Sequence, residues 1–453
     1  MTSSWAKPEG GRPGAPLMVG EVDLGAAMAP LVVDPDPCTG LPREARILVR
    51  LHGSPLGFVR IPVLDGAVGT VALAAAIEAD LGNAVREHLA ADGVPSGTVI
   101  PDGFAAADAP PCREGLAPEA DAAAPASIII ATRDRPERLA ACLRTILAQS
   151  YPRFEVVVVD NAPTGPETRD LVARESDRDP RVRYEREDRP GTSRARNRGL
   201  EAARHDHLAF LDDDLDVDHE WLARVMRAFE RHPGAGCVTG MIVPAELATR
   251  AQWRMEEYGG FTKGFASREY HRWRGDDDGI LHPYTAGRFG SGANMAFARA
   301  ALRVIGGFDP ALGGGTPARG GEDLAAFVLT LEAGFSLVYE PSAIVRHYHH
   351  RDDDLLRRVL LGYGIGLGAY LTKVVYDRPA RLADLAARAV PGLRYLLAPG
   401  SSKNQRKGRS YPVALTLVEL LGLAAGPYAY LVSRARARLS GPAGWVEPAG
   451  DDP

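Results

Sequence analysis

Three consecutive aspartates, Asp212, Asp213 and Asp214, end the apolar run 208–211 in "HLAFLDDDLDVDHEWL". Like charges at the end of a buried strand repel, so the arrangement calls for a cation. Carboxylates at i, i+2 on a short loop can share a hard divalent ion, Mg2+ or Mn2+. Such an ion can carry a diphosphate and offset the charge of a phosphate leaving group. Two other acid triplets serve as controls. Asp276, Asp277 and Asp278, and Asp352, Asp353 and Asp354, follow polar residues rather than a strand and read as solvated surface.

Other chemistry-bearing residues fall at comparable places. Asp160 ends the apolar run "EVVVVD", and Thr132 with Arg133 follows "SIIIA". Arg194, Arg196 and Asn197 stand in "GTSRARNRGL" at a helix start, where backbone N–H groups favour anions. Glu322 and Asp323 follow the Gly-rich "GGGTPARGG" and open a helix, a place where carboxylates also serve as caps. His347 follows an apolar run, with His349 and His350 beside it. No serine elbow or catalytic cysteine motif is present, and the four cysteines are far apart with no zinc spacing.

These residues need elements to position them. From Ser127 onward, apolar β-branched runs alternate with amphipathic helices. "DRPERLAACLRTILAQ" carries Leu139, Cys142, Leu143, Ile146 and Leu147 on one face, with Asp134 and Glu137 spaced as a capping box and Pro136 in the first turn. Strands apolar on both faces and separated by helices imply an α/β fold, a mostly parallel sheet covered on both sides. Ligands bind outside the carboxyl ends of such strands, so Thr132, Asp160 and the Asp212–Asp214 triplet are expected on one edge. Asp216 and Asp218 are expected to cap "HEWLARVMRAF".

The 453 residues exceed one ordinary domain, and composition divides them. Residues 1–20 are rich in Gly, Pro and Ser and read as disordered. Residues 21–105 read as a small α+β domain. In it, "RILVRLHGSPLGFVRIPV" forms two strands around a turn, and a helix ends at Gly93. Residues 106–126 read as a linker, 127–350 as the main domain, 351–440 as a helical region and 441–453 as a tail. The formal charge of −5 gives no sign of nucleic-acid binding. The start, "MTSSWAKPEGGRPGAP", lacks a signal-peptide core, so a cytoplasmic location is expected. Two apolar C-terminal stretches, the basic loop "GSSKNQRKGRS" and the arginines from Arg434 to Arg438 suggest peripheral contact with the inner face of the cell membrane. The alternative is a helical lid on the main domain.

The motifs, taken in order, resemble the family-two glycosyltransferases of GT-A fold over residues 127–350. "SIIIATRDRPERLAACLRTILAQSYPRFEVVVVDNAP" resembles the nucleotide-binding opening, "GTSRARNRGL" a second donor-contacting segment and "FLDDDLDVDHEWL" the metal motif. "GGFDPALGGGTPARGGEDLAAFVLTLEAGF" resembles the acceptor-side loop with its acidic pair, and "IVRHYHH" lies where the family often has a metal-binding histidine. The N-terminal extension resembles actinobacterial members.

The resemblance implies an inverting, metal-dependent transferase that moves a hexosyl or deoxyhexosyl unit from a nucleotide-diphosphate sugar. The acceptor would be a glycan such as a cell-envelope polysaccharide, a lipid-linked acceptor or a small molecule. It implies that Asp160 contacts the base, with Thr132 and Arg133 lining that pocket, and that Arg194, Arg196 and Asn197, with Asp212 and Asp213, serve the rest of the donor. Asp214, Asp212 and His347 would ligate Mn2+ or Mg2+, with His349 and His350 as rivals. Asp323 would be the general base and Glu322 its partner. Gly292 and Asn294 in "RFGSGANMAF" would lie on the acceptor side, and Trp253, Trp273 and Tyr284 could stack on a sugar or pack in the core. A sugar-phosphate nucleotidyltransferase would want a glycine-rich loop after the first strand, which "ATRDRPER" lacks. A binding module without catalysis would not need Asp214, Asp323 and His347 together.

Overall fold

The computed structural model describes residues 16–32, 40–94, 100–104, 110–116, 118–272, 279–408 and 411–439. The chain opens with β1 (Leu17–Asp23), β2 (Leu31–Val32), β3 (Glu44–Leu51), β4 (Ser54–Pro62), β5 (Ala67–Val68) and α1 (Thr70–Asp92). β3 and β4 form a hairpin whose turn, His52-Gly53, takes positive φ at both positions, matching the strands' twist. β1 adds in parallel to β3. Leu73, Ile77, Val85 and Leu89 of α1 pack on Ile47, Val49, Val59 and Ile61 of this sheet. Gly93 ends α1 in the left-handed conformation, as expected.

Two expectations change here. Residues 17–20 belong to β1 rather than to a disordered leader, because strand pairing and a bond from Leu17 N to Leu247 O satisfy their backbone; residues 1–15 lie outside the described part. The segment read as a linker is packed. Leu116 and Ala123 are buried in the central core, burial that the Ala/Pro-rich composition did not reveal.

The main domain follows as β6 (Ala126–Thr132), α2 (Pro136–Leu147), β7 (Phe154–Asn161), α3 (Glu167–Arg178), β8 (Val182–Glu187), α4 (Thr192–Ala202), β9 (His207–Asp212), β10 (Leu215–Val217), α5 (Trp221–Arg231), β11 (Ala235–Pro244), α6 (Arg250–Tyr258), β12 (Arg268–Tyr270), β13 (Asn294–Ala298), α7 (Arg299–Ile305), α8 (Glu322–Glu332) and β14 (Ser336–His347). The sheet order is β10-β14-β11-β13-β9-β6-β7-β8, with β12 also paired to β14. The β9-β6-β7-β8 block and the β11–β14 pair are parallel; β13 is antiparallel to both neighbours. Alternate residues serve two cores. Ile128, Ile130, Val156 and Val158 face one, and Ile129, Val157, Val159 and Phe210 the other. That double burial is why these strands lack polar alternation.

Two capping expectations fail. Asp134 caps nothing in α2. It sits at φ 52, and its Oδ1 accepts from Thr164 N. Asp216 does not cap α5, and Asp218 reaches only the Glu220 N–H just before the helix, at 3.2 Å. The Asp218 carboxylate also forms a buried ion pair with Arg50 of β3 at 2.6 Å.

The C-terminal helices are α9 (Asp353–Asp377), α10 (Arg381–Ala387), α11 (Ala389–Leu397) and α12 (Val413–Leu439). Asp352 caps α9, in keeping with a structural reading of that acid triplet; Asp276, Asp277 and Asp278 lie outside the described residues. Helix α9 is unbroken, and its glycines serve close packing. A Cβ at Gly364 or Gly368 would run into the backbone of α12, and one at Gly422 or Gly426 into that of α9. On another face of α9, Gly366 presses on Gly320 and Gly321, directly before Glu322.

Candidate active site

The parallel register places Thr132 beside Asp160 and Ala131 beside Asp212, so the expected residues do share one sheet edge. Asp160 is buried. Its Oδ2 accepts from Tyr184 OH at 3.0 Å, while Oδ1 has no hydrogen-bond partner in the chain. Burial first, and Asp134 nearby, raise this carboxyl above its usual range, with Tyr184 opposing. A buried acceptor atom without a donor is a place for a ligand N–H.

The triplet divides by role. Asp213 is 5% exposed and turned inward, accepting from Thr132 Oγ1 at 2.6 Å and Arg135 at 3.3 Å. Thr132 and Asp213 therefore engage each other, a correction to the reading of both as donor contacts. Asp212 faces Arg196 at 3.3 Å. Its side chain is 40% exposed, and what burial it has raises its carboxyl above the usual range; Arg196 opposes this, and Asp214 and Asp213 add to it. Asp214 lies 3.6 Å from Arg135 and 3.5 Å from His347 Nε2, because β10 pairs antiparallel with β14 and sets Leu215 opposite His347.

His347 is held by a relay. Glu256 of α6 can only accept, so His349 Nε2 donates to it at 3.2 Å. In neutral rings, His349 Nδ1 then accepts from His347 Nδ1 at 3.1 Å. This leaves the His347 Nε2 lone pair facing the Asp214 carboxylate. Burial draws His347 down to about 4, with Asp214 opposing. Glu256 is also paired with Arg46 of β3 at 2.8 Å. Burial alone would raise Glu256, but the His349 bond and the Arg46 charge hold it well below the carboxylate range. Of the rival histidines, His349 supports His347, and His350 lines the adjacent cavity.

Arg196 is 4% exposed and joins the two halves of the site. It donates to Glu322 Oε1 at 2.8 Å, to Asp212 and to Gly292 O at 2.9 Å. Glu322 is buried, and its carboxyl is raised by burial first, with Arg196 opposing. Asp323 is half-buried. Its Oδ2 accepts from Gly292 N and its Oδ1 from Leu324 N, both at 2.8 Å. Gly292 thus holds Asp323 in place through its N–H. A Cβ there would lie 3.1 Å from Arg196 and 3.2 Å from Asp323.

Several expected site residues are engaged elsewhere. Arg194 reaches Ala437 O at the end of α12. Asn197 clamps both backbone groups of Phe308. Asn294 is 1% exposed, donating to Met241 O and Ala343 O and accepting from Trp221. Polar side chains satisfied inside the core look, in sequence, like polar side chains awaiting a ligand. Arg133 stays at the rim beside Asp134. Trp253 packs under Arg60, and Trp273 lies outside the described residues.

A cavity of about 840 Å³ opens over Glu322 and Asp323, walled by Tyr258, Tyr284, Lys263 and Tyr363 among others. A second, of about 370 Å³, contains Asp214, His347 and His350. Tyr363 and Arg319 line both. Arg319 holds φ 60 in the Gly-rich loop, a left-handed backbone uncommon for a non-glycine residue. Arg135, Tyr184 and Arg319 were not singled out from sequence. Only the adjacency of Arg135 and Arg319 to the quoted motifs could have marked them.

Residues 127–305 match the family model "Glycosyl transferase family 2". This segment is a family 2 glycosyltransferase domain. The glycosyltransferase has the mostly parallel, helix-covered sheet of the GT-A class, with a small N-terminal sheet unit and helical C terminus, and as a family member it uses a nucleotide-sugar donor. It is 25% identical over 226 residues to a glucosyl-dolichyl phosphate glucuronosyltransferase of Haloferax volcanii, a match covering 49% of this chain and 68% of that protein. It is 28% identical over 219 residues to the pre-mycofactocin glycosyltransferase of Mycobacterium tuberculosis, covering 48% of this chain and 42% of that one. Among solved structures, a mannosyltransferase of Pyrobaculum calidifontis in complex with GDP-Man and Mn2+ aligns with 20% identity and a TM-score of 0.43, over 72% of this chain and 84% of that one.

Proposed function

We propose that this enzyme is an inverting, metal-dependent glycosyltransferase that moves a hexosyl or deoxyhexosyl unit from a nucleotide-diphosphate sugar to an acceptor hydroxyl. The observation carrying it is the facing of Asp214 Oδ1 and the His347 Nε2 lone pair at 3.5 Å, beside Asp212. Two donor atoms at about 2.1 Å from one octahedral ion stand about 3 Å apart when adjacent, so the pair fits a shared ion after a small adjustment. Imidazole beside carboxylate favours Mn2+ over Mg2+. When bound, that ion would offset the charge of the leaving diphosphate.

The chain's own groups supply the rest. Asp160 Oδ1 would accept an N–H of the base, the imide of uracil or a ring N–H of guanine. Arg135 and Arg319 replace Arg194 and Asn197 as candidates for the diphosphate, being cations on the metal-side rim. Asp323, aimed by Gly292 N–H and Leu324 N–H, would take the acceptor proton as the acceptor oxygen bonds to the anomeric carbon and the bond to diphosphate breaks. Arg196 and Glu322 would hold Asp212 and Asp323 in register.

The cavity beside Asp323 has an aromatic lining and a roof of C-terminal helices, which favours a small-molecule or lipid-linked acceptor over an open polysaccharide chain. The two relatives are named for a glucosyl-dolichyl phosphate and for pre-mycofactocin, in line with this reading. Contact with the cytoplasmic face of a membrane rests on α12, one of two helices among the described residues long and apolar enough to cross a bilayer. Val413, Leu417, Leu421, Tyr428 and Leu431 form an exposed apolar stripe along it. In the described part of the basic loop, Lys403 is paired with Glu419 and Arg406 donates to Gly259 O and Thr262 O, so these two cations face inward. A screen of sugar nucleotides with mass detection, followed by proton NMR of the product, tests the reaction. The anomeric configuration should be opposite to the donor's; retention would reject the single displacement.

A further inference from the structure

We propose that His52, His88, Asp92 and Cys112 form a structural zinc site at the junction of the N-terminal unit and the catalytic domain. Their ligand atoms all lie within 4.8 Å of one another. Asp92 Oδ2 is the centre of the cluster, 2.8 Å from His52 Nδ1, 3.0 Å from His88 Nε2 and 2.9 Å from Cys112 Sγ. Four ligands around tetrahedral zinc stand about 3.4–3.8 Å apart, given bonds of about 2.0–2.3 Å. His52 Nδ1 and Cys112 Sγ are already 3.7 Å apart, and the three contacts to Asp92 need to open by less than 1 Å. Histidine, thiolate and carboxylate together suit zinc better than a hard oxygen-seeking ion.

The hydrogen bonds around the cluster are those of a ligand set. His52 Nε2 faces Phe104 O at 2.8 Å, and a carbonyl can only accept. Nε2 therefore carries the proton, and in the neutral ring the Nδ1 lone pair points at the Asp92 carboxylate, acceptor against acceptor. A backbone carbonyl on the remote nitrogen is a common way to fix a metal-binding tautomer. His88 Nε2 is buried and, despite its contact with Asp92, makes no hydrogen bond. Asp92 Oδ1 takes the Cys112 N–H at 3.0 Å, which leaves Oδ2 for the cluster. The side chains of His52 and Asp92 are only 4% and 3% exposed.

Three separate segments contribute. His52 comes from the β3–β4 turn, His88 and Asp92 lie one turn apart on α1, and Cys112 sits in the strap leading to the catalytic domain. The carbonyls of the ligands are then gripped by α5. Arg224 donates to His52 O at 2.9 Å and Cys112 O at 3.2 Å, and Arg227 donates to Pro111 O and Cys112 O. An ion here would fasten the strap and the N-terminal unit together against α5. The cluster shares no residue with the Asp214–His347 pair.

The test is the metal content of the full chain, expressed with zinc and desalted into metal-free buffer, read by mass spectrometry. About one zinc per chain is expected, retained in Asp214→Asn and lost in Cys112→Ser and in His88→Gln. The cobalt-substituted protein should show the intense visible bands of a tetrahedral ion and a thiolate charge-transfer band, which Cys112→Ser abolishes and Asp214→Asn leaves. Cys142 and Cys237 are sealed in the core and cannot supply that band; Cys38 lies outside the described residues, so Cys38→Ser is the control and should keep it. If the variants fail to fold, the wild-type cobalt spectrum decides alone. Wild-type protein without zinc, a cobalt spectrum without the thiolate band, or zinc binding undiminished in Cys112→Ser would overturn the assignment.

Discussion

Substituting Asp323 by Asn separates catalysis from architecture, provided the two costs are kept apart. The carboxylate accepts one backbone N–H at each oxygen, Gly292 at Oδ2 and Leu324 at Oδ1. An amide has only one oxygen, so one of those N–H groups must face an NH2. A lost partner at a half-buried site costs about 1–3 kcal/mol, which lowers Tm by a few degrees in a chain of this size. Loss of a general base costs about 10²–10⁴ in rate, or roughly 3–5 kcal/mol of transition-state stabilisation. The expected result is therefore a folded enzyme with a modest Tm loss, donor affinity within about threefold of wild type and transfer reduced at least about 100-fold. Single-turnover transfer, donor affinity and thermal unfolding measured on one preparation decide it. Transfer within a few-fold of wild type would make Asp323 a helix-start residue and move suspicion to Glu322. Lost donor affinity would place the acidic pair in the nucleotide site and refute the division of the cleft.

The remaining predictions concern the supports of that site. Arg46→Met removes the pair that anchors Glu256, so the Mn2+ affinity of the His347 site should fall about 10-fold, the usual effect of losing an outer support; unchanged metal dependence of transfer would dissociate the N-terminal unit from the site. Asp218 and Glu256 have folded pKa values depressed below their unfolded values, so their stabilisation is present above about pH 4–4.5 and is lost as pH falls through the folded values. Thermal unfolding should drop on acidification below that window and do so less steeply in Arg50→Met, which at neutral pH should cost about 3–5 kcal/mol by leaving a buried charge. Leu417→Asp with Leu421→Asp should abolish flotation with liposomes and leave transfer to a soluble acceptor intact; a wild-type protein that never floats would end the membrane reading.

Strand and helix order was legible because the apolar runs and amphipathic periods leave few alternatives. The strand-end acids were legible for the same reason, since a charge that stops a doubly buried strand must lie at its rim. Asp160, Asp214, Asp323 and His347 came from that logic together with the motif order. The orientation of α4 was not legible. Arg194, Arg196 and Asn197 all lie within its first two turns, yet one meets α12, one bridges Asp212 to Glu322 and one clamps Phe308. Periodicity gives a face but not the partner across it. The relay from Arg46 through Glu256 and His349 to His347 draws on β3, α6 and β14, and the zinc ligands on three segments. Neither leaves a local spacing to read. The glycines of α9 and α12 pair across the two helices into a packing surface that neither segment shows by itself.

The central claim, a nucleotide-diphosphate site completed by a divalent ion on Asp214 and His347, is tested most directly by calorimetry. UDP and GDP would each be titrated into the wild-type enzyme and into Asp214→Asn, with and without Mn2+. Binding of one nucleotide should require Mn2+ and weaken at least about 100-fold in Asp214→Asn, while Asp354→Asn, at the exposed start of α9, should match wild type. Equal affinity with and without Mn2+, or undiminished affinity in Asp214→Asn, would contradict the account.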